Sequence, residues 1–165
     1  MTTALYPGTF DPMHNGHLDI ARRALDMFEH VIVGVYDLPS KKLLFNHAER
    51  IALANQALAT LSKGAHAHAV GYSALTAAFA QQVGAQVMIR GLRNGVDFDY
   101  ELQLALTNQW LAKDVDTVCL FTGAESAFIS STIVREITLL GGDVTGLVPE
   151  PVALALARHK KTVNL

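Results

Sequence analysis

His14 and His17 stand three residues apart in the segment Gly8-Thr9-Phe10-Asp11-Pro12-Met13-His14-Asn15-Gly16-His17. On the first turn of a helix they share a face. The segment follows a short apolar run and leads into a helical pattern. Gly8 and Gly16 let backbone approach a ligand closely, and the first N–H groups of the helix favour a phosphate. Thr9 adds a hydroxyl donor. Two chemistries suit such a histidine pair: hydrogen bonds to phosphate oxygens, or metal coordination. The second needs a third ligand at a recognisable spacing, and none is evident. A turn with idle, exposed histidines is the plain alternative, but the position between a strand and a helix favours an anion site.

Three consecutive hydroxyl residues occur in Phe128-Ile129-Ser130-Ser131-Thr132-Ile133-Val134-Arg135. A helix N-cap uses one of them and leaves two over. Arg135 lies four residues after Ser131, on the same helical face, so a second phosphate cradle is the better account. A third segment, Arg90-Gly91-Leu92-Arg93-Asn94-Gly95, places two fork-shaped cations at the end of an apolar run. Asp97, Asp99 and Glu101 follow, as the start of a helix favours. That preference does not explain Arg90 at the mouth of a strand, whereas binding of a phosphate dianion does. In Pro39-Ser40-Lys41-Lys42 the lysines are either simply solvated or reach the same anion. His66 and His68 share a strand face without carboxylate or thiol partners. His30, His47 and His159 read as surface positions, Cys119 as a small core residue and Trp110 as a packing residue. No Ser-His-Asp system, Gly-x-Ser-x-Gly elbow or Walker loop is present.

These segments need a scaffold that delivers them to one rim. Apolar runs at 4–6, 31–36, 67–70, 87–89 and 118–121 are brief and lack strict alternation, as strands covered on both faces do. Helical patterns occupy 16–27, 48–61, 75–83, 97–111, 131–140 and 151–159. This alternation predicts an α/β fold of Rossmann-like type: one domain, 1–165, with a doubly wound five-stranded parallel sheet and helices on both faces. Ligands then bind at the carboxyl ends of the strands, within 7–17, 36–42, 71–76, 90–101 and 122–135.

Composition narrows the class. Of 165 residues, 50% are hydrophobic and 17% charged, which excludes intrinsic disorder. Thirteen Lys and Arg against 15 Asp and Glu leave a net charge of −2, unsuited to general nucleic-acid or anionic-membrane binding. The single cysteine excludes an internal disulfide and a cysteine-rich zinc site, and a reducing cytoplasm is expected. No targeting segment or membrane-length apolar run is visible. The mean hydropathy of +0.25 implies a well-buried interior and leaves room for an apolar surface used in self-association.

Taken together, Thr9-Phe10-Asp11-Pro12 with His14-x-Gly-His17, and Ile129-Ser-Ser-Thr-x-x-Arg135, resemble the nucleotidyltransferase superfamily. Arg90-Gly-Leu-Arg93 followed by Asp97-Phe-Asp-Tyr-Glu101 narrows the resemblance to the bacterial phosphopantetheine adenylyltransferase family. It runs from Tyr6 to the last helix.

The resemblance implies transfer of an adenylyl group from ATP to 4′-phosphopantetheine, giving dephospho-coenzyme A and pyrophosphate, with Mg²⁺ as cofactor and a cytoplasmic homohexamer. It implies a catalytic set of His17, Lys41 and Arg90. ATP would be held by Thr9, Phe10, His14, His17, Gly91, Leu92, Arg93, Glu101, Ser126, Ala127, Phe128, Ile129, Ser130, Ser131 and Thr132. The acceptor would be held by Thr9, Lys41, Thr76, Arg90, Leu104 and Asn108. Ser126-Ala127 departs from a common aromatic–hydroxyl pair, and Thr107 from a common methionine. Two alternatives are a related transferase using nicotinamide mononucleotide or glycerol phosphate, and a nucleotide-binding module without turnover. A class I synthetase fragment is set aside, because the chain is short and has no basic surface for tRNA.

Overall fold

The computed structural model describes residues 2–39 and 42–163, with side chains through residue 159. Strand β1 (Thr3–Gly8) leads to helix α1 (Asn15–Met27), β2 (His30–Tyr36) to α2 (His47–Leu58), and β3 (Ala67–Tyr72) to α3 (Thr76–Gln82). Strand β4 (Val87–Leu92) leads to α4 (Gly95–Leu111), and β5 (Asp116–Phe121) to α5 (Ser131–Leu139) and α6 (Glu150–Val163). A single 3₁₀ turn, Gly64–His66, precedes β3. The strands form one sheet in the order β3-β2-β1-β4-β5, parallel throughout. The expected five-stranded, doubly wound parallel sheet is the observed fold, and the strands extend beyond the runs read from sequence by a residue or more.

The central strands are apolar on both sides because helices cover both faces. Ala4, Val31, Val33 and Val35 pack with Ile20, Ala21, Ala24 and Leu25 of α1 and with Ala54, Ala57 and Leu58 of α2. On the other face Leu5, Ile32 and Met88 pack with Ala77, Phe79 and Ala80 of α3 and with Ala112 and Val115. A third cluster, including Phe45, Leu53, Ile129, Val134, Val152 and Leu156, joins α2, α5 and α6 beside the sheet.

Two expectations fail at the sheet's far edge. β5 is an edge strand, and Cys119 within it is exposed rather than core. Trp110 is 78% exposed rather than packed. Along the 17 residues of α4 only Glu101 is buried. An edge strand and the helix beside it have half the neighbours of central elements, so their apolar side chains outnumber the surfaces this chain offers them. Two histidines read as surface residues also have partners. His47 lies within reach of the Asp37 carboxylate (3.2 Å) and the Val35 carbonyl (3.1 Å). The His159 ring sits edge-on to Phe45 at 4.8 Å.

Candidate active site

The strand order reverses direction on either side of β1, with β2 on one flank and β4 on the other. Such a switch point opens a crevice beyond the strands' carboxyl ends. Here β1 and β2 stay in register for their whole length, from Thr3↔His30 to Gly8↔Val35. β1 and β4 pair only at Ala4↔Val87 and Leu5↔Met88. Beyond that point Arg90 spans the gap, its Nη1 donating to the Pro7 carbonyl at 3.1 Å. The cleft so formed encloses about 810 Å³.

Its first wall is the loop between β1 and α1. His14 caps α1: its Nδ1 accepts from the His17 N–H (3.4 Å), while His17 Nδ1 accepts from the His14 N–H (3.2 Å). The rings stack with centroids 3.6 Å apart. Because His17 Nδ1 accepts, its proton is carried on Nε2, so the imidazole is a hydrogen-bond donor at its other edge. Burial, with Arg93 nearby, pushes the His14 pKa down to about 4, so this ring is neutral at pH 7. Phe10 lies under the pair, edge-on to His17 at 5.0 Å and to Tyr6 at 5.4 Å. Its backbone sits at φ 49°, a conformation L-residues seldom adopt. A Cβ at Gly8 would lie 2.9 Å from Phe10 Cζ, so glycine lets that ring fold back beneath the loop.

The second wall is the start of α5. Ser130 is the N-cap, its hydroxyl accepting from the Ile133 N–H at 3.2 Å. Ser131 Oγ donates to the Pro12 carbonyl at 3.0 Å. Arg135 donates from Nη1 to the Asp11 carbonyl at 2.5 Å and from Nη2 to Thr132 Oγ1 at 3.3 Å. The two hydroxyls left over by the cap are thus partly engaged, and Arg135 serves as a brace on the first loop rather than as a phosphate ligand in the cleft. What α5 offers an anion is its positive end and the Ser131 and Thr132 N–H groups, which have no acceptor within the helix. Gly16 faces this wall: a Cβ there would lie 3.4 Å from the Ser126 carbonyl oxygen.

The third wall is the end of β4 and the start of α4. Arg90 and Glu101 form a two-pronged ion pair, Nε–Oε2 at 2.6 Å and Nη2–Oε1 at 2.8 Å. Burial opposes the guanidinium charge, yet bonds to Glu101 outweigh it and the Arg90 pKa is raised. Arg93 pairs with Asp97 at 3.0 Å and 3.1 Å, holding that carboxyl below its ordinary pKa. Asn94 caps the helix, accepting from the Val96 and Asp97 N–H groups. Among the described residues no three His, Cys, Asp or Glu side chains converge as metal ligands.

Two buried charges tie the loops together from below. The Asp11 carboxylate accepts from the Leu44 N–H at 2.8 Å and the Phe45 N–H at 2.9 Å. Arg50 of α2 donates from Nη1 to the Thr9 and Tyr36 carbonyls, each at 2.7 Å. Burial lowers its pKa, opposed by Asp11 and Asp37.

Most residues singled out from sequence meet in this cleft. Thr9, Phe10, His14 and His17 line it on one side; Arg90, Gly91, Arg93, Glu101 and Leu104 on another. Ser126, Ile129, Ser130, Ser131 and Thr132 form the α5 wall, and Thr76 stands at the far rim with its hydroxyl 3.0 Å from the Tyr72 hydroxyl. Leu92 instead packs inward, Phe128 points to solvent, and neither Ala127 nor Asn108 reaches the cleft wall. Lys41 lies outside the described residues. Tyr6 lies in the cleft outside the segments expected to bind ligand, and Tyr36, Tyr72 and Tyr100 lie within those segments but were not singled out. Tyr36 and Tyr72 fall at strand ends, the positional signal that was available for them.

The cytidylyltransferase-like family model matches residues 5–137. The phosphopantetheine adenylyltransferase of Roseiflexus sp. (strain RS-1) is 49% identical over 158 residues, 96% of this chain and 97% of that one. That of Haemophilus influenzae (strain 86-028NP) is 50% identical over 156 residues, 94% and 98% of the two chains. A solved structure from Vibrio parahaemolyticus, assigned as a nicotinate-nucleotide adenylyltransferase, superposes with a TM-score of 0.75 at 15% identity, covering 100% of this chain and 98% of its own. That last likeness bears on the fold alone. The chain belongs to the cytidylyltransferase-like family and, within it, to the phosphopantetheine adenylyltransferases.

Proposed function

We propose that this protein transfers the adenylyl group of ATP to 4′-phosphopantetheine, releasing pyrophosphate and giving dephospho-coenzyme A in coenzyme A biosynthesis. The observation that carries the reaction class is the meeting of His17, Arg90 and the start of α5 in one cleft, all of them donors or cations. The acceptor follows from relatives about half identical over nearly the whole chain.

A phosphate oxygen of the acceptor attacks the α-phosphorus in line; its new P–O bond forms as the bond to the bridging oxygen breaks, and that electron pair leaves with pyrophosphate. The protein's task is to bring two anions together and to spread the charge that develops. Positioning of this kind supplies about 7–11 kcal/mol. His17 Nε2–H and the α5 amides hold the reacting phosphates, donors whose preorganisation is worth more than that of water. Thr9 and Thr76 offer hydroxyls, and Arg90, with Lys41, neutralises the acceptor's phosphate. Both cleft carboxylates are committed to arginines, which suits Mg²⁺ arriving on ATP oxygens rather than in a protein cage. When bound, it neutralises the leaving pyrophosphate.

The exposed apolar side chains Val96, Trp110, Phe121 and Leu140 support assembly with further copies, and we assign a homohexamer. No helix among the described residues is long and apolar enough to cross a membrane. We assign the cytoplasm, where the lone thiol of Cys119 stays reduced. The test is pyrophosphate release from MgATP with phosphopantetheine, nicotinamide mononucleotide, glycerol phosphate or no acceptor. Release is expected with the first alone. Preference for another acceptor, or no turnover with any, would overturn the assignment.

A further inference from the structure

Helix α2 buries positions 50, 53, 54, 57 and 58, and four of these five are Leu or Ala. The fifth is Arg50, whose side chain is wholly withdrawn from water. Its Nη1 donates to two backbone carbonyls, those of Thr9 and Tyr36, at 2.7 Å each. Among the described residues Nε and Nη2 find no hydrogen-bond partner, and an Asp37 oxygen lies 3.9 Å from Nη2. A guanidinium buried with two nitrogens lacking hydrogen bonds is costly to desolvate, so stability alone does not account for its place here. What it does, and an apolar group does not, is draw two carbonyl oxygens to one nitrogen. One belongs to the loop that presents Thr9 to the cleft. The other belongs to Tyr36, the last residue of β2, which itself lines the cleft.

We propose that Arg50 is a positioning residue for adenylyl transfer: by holding the Thr9 and Tyr36 carbonyls on one nitrogen, it fixes the separation of the Thr9 loop and the end of β2, both of which line the cleft. Arg50 does not line the cleft and acts only through these loops. The proposal rests on the reaction assigned above. Asp11, two residues after Thr9, is held separately by the Leu44 and Phe45 amides. Loss of Arg50 therefore releases the Thr9 end of the loop while the Asp11 end stays fixed.

Two variants of the full chain test this. Arg50→Met keeps the volume and removes both bonds; Arg50→Lys keeps a charge but replaces the planar fork with one compact ammonium. Both are expected to fold, Arg50→Met with a lowered thermal midpoint because the Thr9 and Tyr36 carbonyls lose their donor, so amide exchange is compared at matched global stability. For Arg50→Met, kcat/KM for phosphopantetheine is expected to fall about 10²-fold, the size of a small misplacement, with a smaller rise in the KM for ATP, which Thr9 also serves. Arg50→Lys should recover part of that loss. Amide exchange without substrate provides an arm that needs no turnover. The Asp37 N–H, bonded to the Tyr72 carbonyl at 2.8 Å, should exchange faster in Arg50→Met, while the Leu44 and Phe45 N–H groups remain slow. A wild-type protein without adenylyl transfer defeats the assigned reaction, and exchange then decides the role of Arg50 in holding the loops. Wild-type kcat/KM in both variants, exchange that is unchanged or faster everywhere, or failure of both variants to fold would each overturn it.

Discussion

His14 and His17 hold one another by exchanged hydrogen bonds, each ring's Nδ1 accepting the other residue's backbone N–H. The exchange caps α1 and stacks the rings, with Phe10 beneath. A helix cap and the proposed catalytic group are thereby one device: the bond that satisfies an orphan N–H also fixes the tautomer that makes His17 a donor.

Removing the His17 ring deletes that donor. With ATP saturating, His17→Ala should lower kcat roughly 10²–10³-fold, as loss of one preorganised donor to a charge-bearing oxygen does. The measurement is steady-state pyrophosphate release, and a kcat near wild type would mean that the imidazole touches no developing charge.

His14 sets a pH dependence of stability. Its pKa is about 6.5 unfolded and about 4 folded, through burial first and Arg93 second. Above pH 6.5 both states are neutral and the contribution is complete. As pH falls toward 4, the unfolded chain takes a proton that the folded one refuses, and stability is lost. Between pH 7 and pH 5 the loss is about 2 kcal/mol. His14→Asn retains a good N-cap without the titration. Urea unfolding of wild type and His14→Asn across that range should show a steeper decline in the wild type; parallel declines would remove the role given to His14.

The Arg90–Glu101 pair separates a structural role from a binding one. Arg90→Met leaves a nearly buried carboxylate unpaired and should cost about 3 kcal/mol of stability. Adding Glu101→Leu should restore most of it, since the uncompensated charge is gone. Calorimetry should find phosphopantetheine binding weakened in both, and in Arg90→Met far more than ATP binding. Recovery of acceptor affinity in the double variant would show that Arg90 serves only to neutralise Glu101.

Trp110→Glu tests the apolar flank. On an exposed position the change costs a single chain little. Sedimentation should find wild-type hexamers and smaller species for the variant, with unchanged far-ultraviolet dichroism. Monomeric wild-type protein would contradict the assembly assigned here.

The alternation of strands and helices was legible because buried parallel strands read as short Val- and Ile-rich runs and α1 carries a regular apolar stripe. The histidine and hydroxyl motifs were legible because both sit at strand-to-helix turns. Arg135 was placed on the correct helix face, but spacing does not reveal whether a guanidinium turns to a ligand or to a neighbouring carbonyl. Cys119 and Trp110 were assigned to the interior because hydrophobicity alone does not distinguish a core position from an exposed apolar one. Arg50 passed unnoticed as an ordinary charged helix residue, although its place on the stripe with Leu53, Ala54, Ala57 and Leu58 was a signal that it faces inward.

The central claim is that orientation and charge compensation do the work, with no covalent participation by the protein. ATP made chiral at the α-phosphorus with sulfur, presented with phosphopantetheine, tests it most directly. A single in-line displacement predicts inversion of configuration in the thio-dephospho-coenzyme A formed; retention would reveal an adenylylated protein intermediate and contradict the account.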